Sequence, residues 1–225
     1  KSNNLGDANL DKNRIWNGLS PFGRQAVSEM NRLGIIIDIS HSSDSTAYQA
    51  IRLSTAPVIA SHSGCRTLTP GFERNLSDDL IKEIARKKGL IMVYFYSTFI
   101  DPQCRRNARL LLEWCRKNNV NINSVRGIAV AESFPKTGPV KSYSSVVADH
   151  IEHIIRIAGI DYVGIGSDFS GMGPFQPYDL PDVSAYKTLV YELLKRGFSE
   201  NDIKKILGEN FLRVWDEVLS SAESI

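Results

Sequence analysis

The sequence predicts an α/β fold in which helices cover a parallel β-sheet. Four short runs of β-branched and aliphatic residues alternate with amphipathic helical segments along the 225-residue chain. Nearly every position in these runs is apolar, as in strands that are buried on both faces. No Gly-x-Gly-x-x-Gly follows any of them, so a dinucleotide-binding sheet has no support. An open doubly wound sheet and a (β/α)8 barrel both fit this order of elements.

The first part of the chain contains three helix–strand units. Ser20, Pro21 and Gly34 suit the N-cap, the first helical position and the C-terminal stop of the first helix. The second helix is predicted from about Ser43 to Leu53, and Ser77 is predicted to cap the third. The three predicted strands cover 35–40, 58–61 and 90–96.

The rest of the chain contains four further helices, one strand and two irregular regions. One helix is predicted near 103–118, and another leads into a strand at 162–167. After a Pro-rich loop at 172–181 come two helices, and Ser199 with Asp202 forms a capping-box pattern at the start of the second. No break in composition marks a boundary, so 1–225 is predicted to be a single domain.

Composition excludes several classes of function. The chain is 42% hydrophobic and 23% charged, which is typical of a globular domain. Its net charge is +2 with acidic and basic residues interspersed, so a nucleic-acid partner is not expected. No apolar run is long enough to span a bilayer, and the first residues lack the apolar core of a signal peptide. The sequence gives no prediction of the cellular compartment.

Two consecutive strands end in the same polar cluster. The stretches IIIDISHSS at 35–43 and VIASHSG at 58–64 each place a histidine within Ser-His-Ser. Adjacent parallel strands lie about 4.8 Å apart and end at the same edge, so His41 and His62 can reach one ion. Strand alternation gives Asp38 the opposite face from His41, and Asp38 is therefore not predicted to be a ligand.

A third strand ends in an acid. Asp168 shares strand parity with Gly164 and Gly166. These glycines leave room for an ion or a substrate, or they only relieve crowding inside a barrel. Two neutral imidazoles and a carboxylate form a usual ligand and base set for a hydrolytic metal such as zinc. The sequence therefore predicts a metal site at this edge.

The other reactive side chains are interpreted as structural. His150 and His153 stand three residues apart in a helix, beside Asp149 and Glu152. Packing of the helix face and contacts with solvent explain both histidines. Cys65 shows no sequence partner that would make it a nucleophile or a soft ligand.

Five longer motifs complete the sequence evidence: GLSPFGRQAVSEMNRLGIIIDISHSS, APVIASHSGCR, RNLSDDLIKEIARKKGLIMVYFY, VADHIEHIIRIAGIDYVGIGSDFSG and DVSAYKTLVYELLKRGFSENDIKKILGENFLRVW. In this order they resemble the membrane (renal) dipeptidase family of zinc peptidases. The resemblance covers nearly the whole chain apart from 101–146. That region looks like a helical insertion relative to compact members of the family.

The resemblance implies a (β/α)8 TIM barrel of the metallo-dependent hydrolase type, commonly a homodimer, that hydrolyses dipeptides through a zinc-activated hydroxide. It implies that His41 and His62 bind one zinc ion of a binuclear pair. Arg74 matches the arginine that pairs with the terminal carboxylate of the substrate, and Asp168 matches the acid that handles the proton for the leaving amine. Arg74 is expected to act in binding and to contribute little to stability, as a surface loop residue would.

The chain also departs from the family pattern. Ser170 replaces a second acid and Tyr94 replaces a frequent Asn, and both changes bear on the fit of the substrate. The resemblance also implies further metal ligands, a His-x-Asp pair on the first strand of the barrel and a bridging Glu. No His-x-Asp pair occurs in the 225 residues, so the chain is expected to cover mainly the C-terminal strands and helices of the barrel.

Such a part of a barrel is expected to expose two sheet edges and apolar inner faces, and to be neither a stable monomer nor an active peptidase by itself.

Three alternatives to the dipeptidase stay open. The same barrel suits another amide or lactam hydrolase, or a tailoring enzyme for a peptide natural product. The third alternative is that the chain is a non-catalytic truncated paralogue.

Overall fold

A computed structural model describes residues 1–134, 138–171 and 173–222. Within these residues four strands form one parallel sheet in the order β1-β2-β3-β4. Each new strand is added at the same edge of the sheet, next to the strand before it, as in a barrel. In a doubly wound sheet the strand order instead reverses at a switch point. The strands are β1 Ile37–Asp38, β2 Val58–Ser63, β3 Leu90–Val93 and β4 Val163–Ile165.

Helices cover the outer face of this sheet. Outward residues of the strands, such as Ile37, Val58 and Ile91, are buried in one core with the helices because they are apolar on this face. No helix in the described residues is long and apolar enough to cross a membrane. The helices are α1 Pro21–Leu33, α2 Asp44–Leu53, α3 Asp78–Arg86, α4 Ser97–Ile100, α5 Pro102–Lys117, α6 Val125–Ser133, α7 Ser144–Ala158, α8 Tyr186–Lys195, α9 Glu200–Lys204 and α10 Asn210–Ser220.

The predicted helix ends of α1 are confirmed, and they explain why β1 is short. The Ser20 hydroxyl accepts a hydrogen bond from the backbone N–H of Gly23, and Gly34 has a φ of 67°. The backbone N–H of Ile35 donates to the carbonyl of Met30 at 2.8 Å, as in a Schellman C-cap. Ile35 therefore belongs to the end of α1, and the predicted strand 35–40 contains only two ladder residues.

The region 101–146 forms a second small core. Helices α5 and α6 bury Ala108, Leu111, Cys115 and Ala131 together, with Phe175 from the loop after β4. This core stands apart from the main core of the sheet. That this region is an insertion relative to compact members of the family stays a prediction.

Helix α10 covers the amino-terminal part of the inner face of the sheet. Its residues Val214 and Val218 pack against Ile59 and Leu90, which are 7% and 0% exposed. Arg213 of α10 donates to the carbonyls of Lys88 and Asp161, which precede β3 and β4. The expectation that the whole apolar inner face is exposed is therefore wrong, because α10 packs against this part of it.

Candidate functional site

His41 and His62 lie side by side at the carboxyl edge of the sheet. Their ring centroids are 4.9 Å apart, with an angle of 57° between the ring planes. Ile37 of β1 pairs with Val58 of β2, and each histidine stands four residues after its paired residue. The strand register therefore brings the two Ser-His-Ser segments to the same level. A shared metal ion remains a prediction.

A chain of hydrogen bonds runs from Asp38 to the imidazole of His62. The Ser61 hydroxyl lies 2.5 Å from Oδ2 of Asp38 and 2.7 Å from Nδ1 of His62. Because a carboxylate only accepts hydrogen bonds, the Ser61 hydroxyl donates a hydrogen bond to Asp38 and therefore accepts one from the Nδ1–H group of His62. Nδ1 therefore carries the imidazole proton, and the lone pair of Nε2 is free for a metal ion.

Asp38 is the residue of this cluster that the parity argument missed. In addition to the hydrogen bond from the Ser61 hydroxyl, Asp38 accepts one at Oδ1 from the backbone N–H of Ser40, at 2.9 Å. Strand parity fails here because β1 ends at Asp38, and His41 has a φ of 66° in the turn beyond it. The sequence did contain a signal for this position. Ile37 and Ile39 are buried on the outer face, and strand alternation therefore places Asp38, which stands between them, on the inner face.

We expect substitution of Ser61 or Asp38 to disturb the tautomer of His62 while the backbone stays folded. In metal-free wild-type protein, nitrogen-15 NMR should show the His62 proton on Nδ1 and the lone pair on Nε2. Ser61→Ala and Asp38→Asn should shift this population, because the acceptor for the Nδ1 proton is lost or no longer fixed. Ser63→Ala should leave it unchanged, because that hydroxyl accepts from Arg74. A wild-type ring with its proton on Nε2 would contradict the hydrogen-bond chain.

Arg74 is buried beside both histidines. Its side chain is 2% exposed, and it donates to the carbonyl of His62 at 2.7 Å and to the Ser63 hydroxyl at 3.1 Å. Its Nη2 lies 3.3 Å from Nε2 of His41. The expectation that Arg74 behaves as a surface loop residue is therefore wrong, because the loop after β2 folds back over the strand end.

Asn75 and Tyr94 hold that loop in place. The amide oxygen of Asn75 accepts from the backbone of Gly64 at 3.1 Å and from the Tyr94 hydroxyl. The buried Tyr94 ring lies 5.1 Å from the Arg74 guanidinium carbon, within reach of a cation–π contact. Tyr94 thus contributes to the position of Arg74.

Both imidazoles are neutral at neutral pH. Desolvation, with the charges of Arg74 and His62, lowers the pKa of His41 from 6.5 to about 4. Desolvation and the charge of Arg74 also lower the pKa of His62. Asp168 and Asp38 oppose these effects on both rings without cancelling them. Neutral imidazole is the form that can bind a metal ion.

Asp168 stands at the end of β4 with an exposed side chain and a φ of 59°. His41 shares this left-handed conformation, which is uncommon for residues other than glycine. Asp168 is close enough for its charge to act on both imidazoles and on Arg74. The structure thus places all four predicted site residues in one neighbourhood, and their catalytic roles stay predictions.

Gly166 serves close packing in this structure. A β-carbon at Gly166 would lie 1.8 Å from the carbonyl oxygen of Ser61. The chain after β4 therefore passes too close to β2 for any side chain at this position. The sequence left two explanations for the glycines before Asp168, room for an ion or a substrate and relief of crowding. At Gly166 the second explanation applies.

The described residues contain no group of three or more His, Cys, Asp and Glu side chains that could hold a metal ion. His41 and His62 thus form a pair, and Asp168 does not complete a three-ligand set with them. That the chain contains only part of the site stays a prediction.

The remaining histidines are structural, although their predicted contacts with solvent are wrong. His150 is 0% exposed, and its Nδ1 accepts from the backbone of Cys65 while Nε2 donates to the carbonyl of Ile100, both at 2.9 Å. His153 is also buried, and its Nε2 lies 2.8 Å from Asp78. Burial raises the pKa of the Cys65 thiol, which leaves it protonated and unreactive.

Solved structures share this fold over almost the whole chain. The probable dipeptidase PvdM from Pseudomonas aeruginosa is 30% identical with a TM-score of 0.81, and the match covers 99% of this chain and 61% of that one. An amidohydrolase from Pseudomonas aeruginosa is 28% identical with a TM-score of 0.73, over 97% and 62% of the two chains.

A third structure contains a substrate mimic. It is a metallo peptidase from Rhodobacter sphaeroides liganded with a phosphinate mimic of the dipeptide L-Ala-D-Ala, at 26% identity and a TM-score of 0.71. The match covers 95% of this chain and 50% of that one. This chain therefore spans about half to three fifths of the length of the three proteins.

The family model for membrane dipeptidases, peptidase family M19, matches residues 1–225. Together with the fold shared with the probable dipeptidase PvdM, this match shows that the chain belongs to the membrane dipeptidase family.

Proposed function

We propose that this chain forms part of a zinc-dependent dipeptidase. The observation that carries the proposal is the packing of two neutral imidazoles against a buried arginine at the carboxyl edge of the sheet. Active sites of (β/α)8 barrels lie at this edge. The dipeptide mimic bound by the metallo peptidase from Rhodobacter sphaeroides supports a dipeptide as the substrate.

His41 and His62 are the residues that would hold the metal ion. The Asp38–Ser61 chain leaves Nε2 of His62 free, and two adjacent neutral imidazoles suit zinc. When bound, zinc supplies Lewis acidity and lowers the pKa of a bound water. The His-x-Asp pair and bridging Glu that the resemblance implies have no counterpart in these 225 residues.

Arg74 would bind the terminal carboxylate of the dipeptide. Its Nε is buried without a hydrogen-bond partner among the described residues, and its contact with His41 is long at 3.3 Å. A guanidinium in this state gains charge-assisted hydrogen bonds when a carboxylate arrives. Turning Nη2 toward the substrate would also free Nε2 of His41 for the metal ion.

Asp168 would transfer the proton that the leaving amine requires. Its exposed carboxylate follows β4 and lies near the two histidines and Arg74, at the edge where the scissile bond would lie. A carboxylate oxygen of Asp168 would take up the proton that the attacking water releases and pass it to the amine nitrogen as the peptide bond breaks. A homodimer, as the resemblance implies, completes the proposal and is tested by sedimentation.

The proposal is tested with the natural gene product that contains residues 1–225. Hydrolysis of Ala-Ala should stop after chelation and return with stoichiometric zinc. Ala-Ala amide should be cleaved more slowly because it lacks the carboxylate for Arg74. Cleavage that survives complete metal removal would contradict the proposal. Cleavage of lactams or other amides without cleavage of dipeptides would instead favour the alternative hydrolase.

A further inference from the structure

A segment near the start of the chain, residues 3–10, forms one wall of the candidate site. Residues of this segment line a cavity of about 590 Å³, and Asp38, Ser40 and His41 line the same cavity from the end of β1. None of the site residues predicted from the sequence belongs to segment 3–10. Its position nevertheless bears on the site, because it lies against one of the two histidines.

Segment 3–10 pairs antiparallel with the turn that contains His41. The backbone N–H of Asn9 donates to the carbonyl of His41, and the backbone N–H of Ser43 donates to the carbonyl of Asp7, both at 2.9 Å. His41 has a φ of 66°, a conformation that few residues other than glycine adopt. The pairing stabilises this turn because it gives the His41 carbonyl a hydrogen-bond donor.

The carboxylate of Asp7 fixes the segment in this position. Asp7 is 2% exposed, and it accepts hydrogen bonds from the backbone N–H groups of Ile15 at 2.8 Å and of Trp16 and Gly18 at 3.2 Å. Burial raises the pKa of Asp7, but these donors outweigh that effect and lower the pKa below its ordinary value. Asp7 is therefore a carboxylate at neutral pH, and the chain from 7 to 18 closes into a loop around this charge.

Thr46 of α2 holds the backbone of Asp7 as well. The Thr46 hydroxyl donates to the carbonyl of Asp7 at 2.9 Å and accepts from the N–H of Asp7 at 3.2 Å. Asp7 is thus attached to the loop by its side chain and to α2 by its backbone. Both attachments lie two residues before Asn9, which bonds His41.

We propose that Asp7 is a positioning residue for His41. Its carboxylate fixes the segment that bonds the His41 carbonyl, and the imidazole is thereby kept at the level of His62. Asp7 acts through the backbone and not through contact with a metal ion. The inference rests on the proposed function, because it concerns the role of His41 as a metal ligand.

The first measurement is amide hydrogen exchange in the metal-free natural gene product that contains residues 1–225. Asp7→Asn keeps nearly the same shape, but it replaces one acceptor oxygen with an NH2 group that faces backbone N–H groups. The Asn9 amide should then exchange at least about tenfold faster than in the wild type, as expected for a weakened hydrogen bond. Amides in β3 should keep their wild-type exchange rates.

The second measurement gives a signature that a general loss of stability would not produce. In nitrogen-15 NMR spectra of Asp7→Asn, the ring signals of His41 should shift or broaden. The tautomer of His62 should stay unchanged, because Asp38 and Ser61 fix that ring. Zinc affinity, measured by competition with a chelator, should fall by about 10- to 100-fold, the range for residues that orient a metal ligand.

Thr46→Val tests the same positioning through the other attachment of Asp7. Valine has nearly the shape of threonine and lacks the hydroxyl that bonds the Asp7 backbone. The exchange rate of Asn9 and the ring signals of His41 should change as in Asp7→Asn. This variant carries the test if Asp7→Asn does not fold.

Asp11→Asn is the matched control. Asp11 is close to Asp7 in the chain, and its carboxylate also accepts two backbone N–H groups, those of Ser2 at 2.8 Å and Asn13 at 3.0 Å. It takes no part in the pairing with the His41 turn. The exchange rate of Asn9 and the zinc affinity should therefore equal those of the wild type.

Unchanged exchange at Asn9 and unchanged His41 signals in the folded Asp7 or Thr46 variant would overturn the inference. Equal changes at His41 and His62, or an equal loss of zinc affinity in Asp11→Asn, would also overturn it. The metal-free measurements separate it from the proposed function. A wild-type protein that binds no zinc, together with the predicted changes at Asn9 and His41 in Asp7→Asn, would refute the zinc dipeptidase and support the positioning of His41 by Asp7.

Discussion

Replacing His62 or His41 with alanine is expected to remove the bound metal and to lower dipeptide hydrolysis by at least about a hundredfold. Loss of a residue that only orients a metal ligand typically costs 10–100-fold, so loss of a ligand should cost at least as much. The two rings lie side by side at 4.9 Å, and each variant would leave one imidazole. The measurements are metal content after dialysis and the rate of Ala-Ala hydrolysis in the natural gene product.

His150→Ala is the matched control for these variants. Both ring nitrogens of His150 bond buried backbone groups, so its loss should lower the free energy of unfolding by at least about 2 kcal/mol. The variant should still bind metal in the wild-type ratio where it is folded. Full metal content in both His62→Ala and His41→Ala would contradict the assignment of the pair as ligands.

Local sequence signals predicted the helix ends and the polar strand ends. Ser20 and Gly34 cap α1 as expected, and Ser199 with Asp202 forms the predicted capping box at α9. These features depend on a few neighbouring residues, and for that reason one sequence was enough. The meeting of His41 and His62 was also predictable because parallel neighbours end at one edge.

Features that depend on distant packing were not predictable. Alternation with Ile37 and Ile39 places Asp38 on the inner face, but strand parity cannot describe the turn after β1 that brings His41 to the same cluster. Arg74 is buried because Asn75 and Tyr94 bring its loop back over the sheet. His150 is buried because α7 places it against the backbone of Cys65 and Ile100, at least 50 residues away along the chain.

Arg74→Ala is expected to impair both stability and substrate binding. Removing the guanidinium leaves the His62 carbonyl and the Ser63 hydroxyl without their donor, which should lower the free energy of unfolding by about 2–4 kcal/mol. Losing the charge-assisted contact with the substrate carboxylate should raise KM by roughly 10- to 100-fold. The change in kcat should be smaller, because that contact would form in the ground state as well.

Arg213→Ala separates the two effects. Arg213 also bonds backbone carbonyls, those of Lys88 and Asp161, but at the opposite end of the sheet from Arg74. Its loss should therefore lower stability and leave KM for Ala-Ala unchanged. Denaturant unfolding and steady-state kinetics on both variants give the comparison. An unchanged KM in Arg74→Ala, or an equal rise in KM in both variants, would show that Arg74 acts only in folding, because position relative to the candidate site is the property that distinguishes the two arginines.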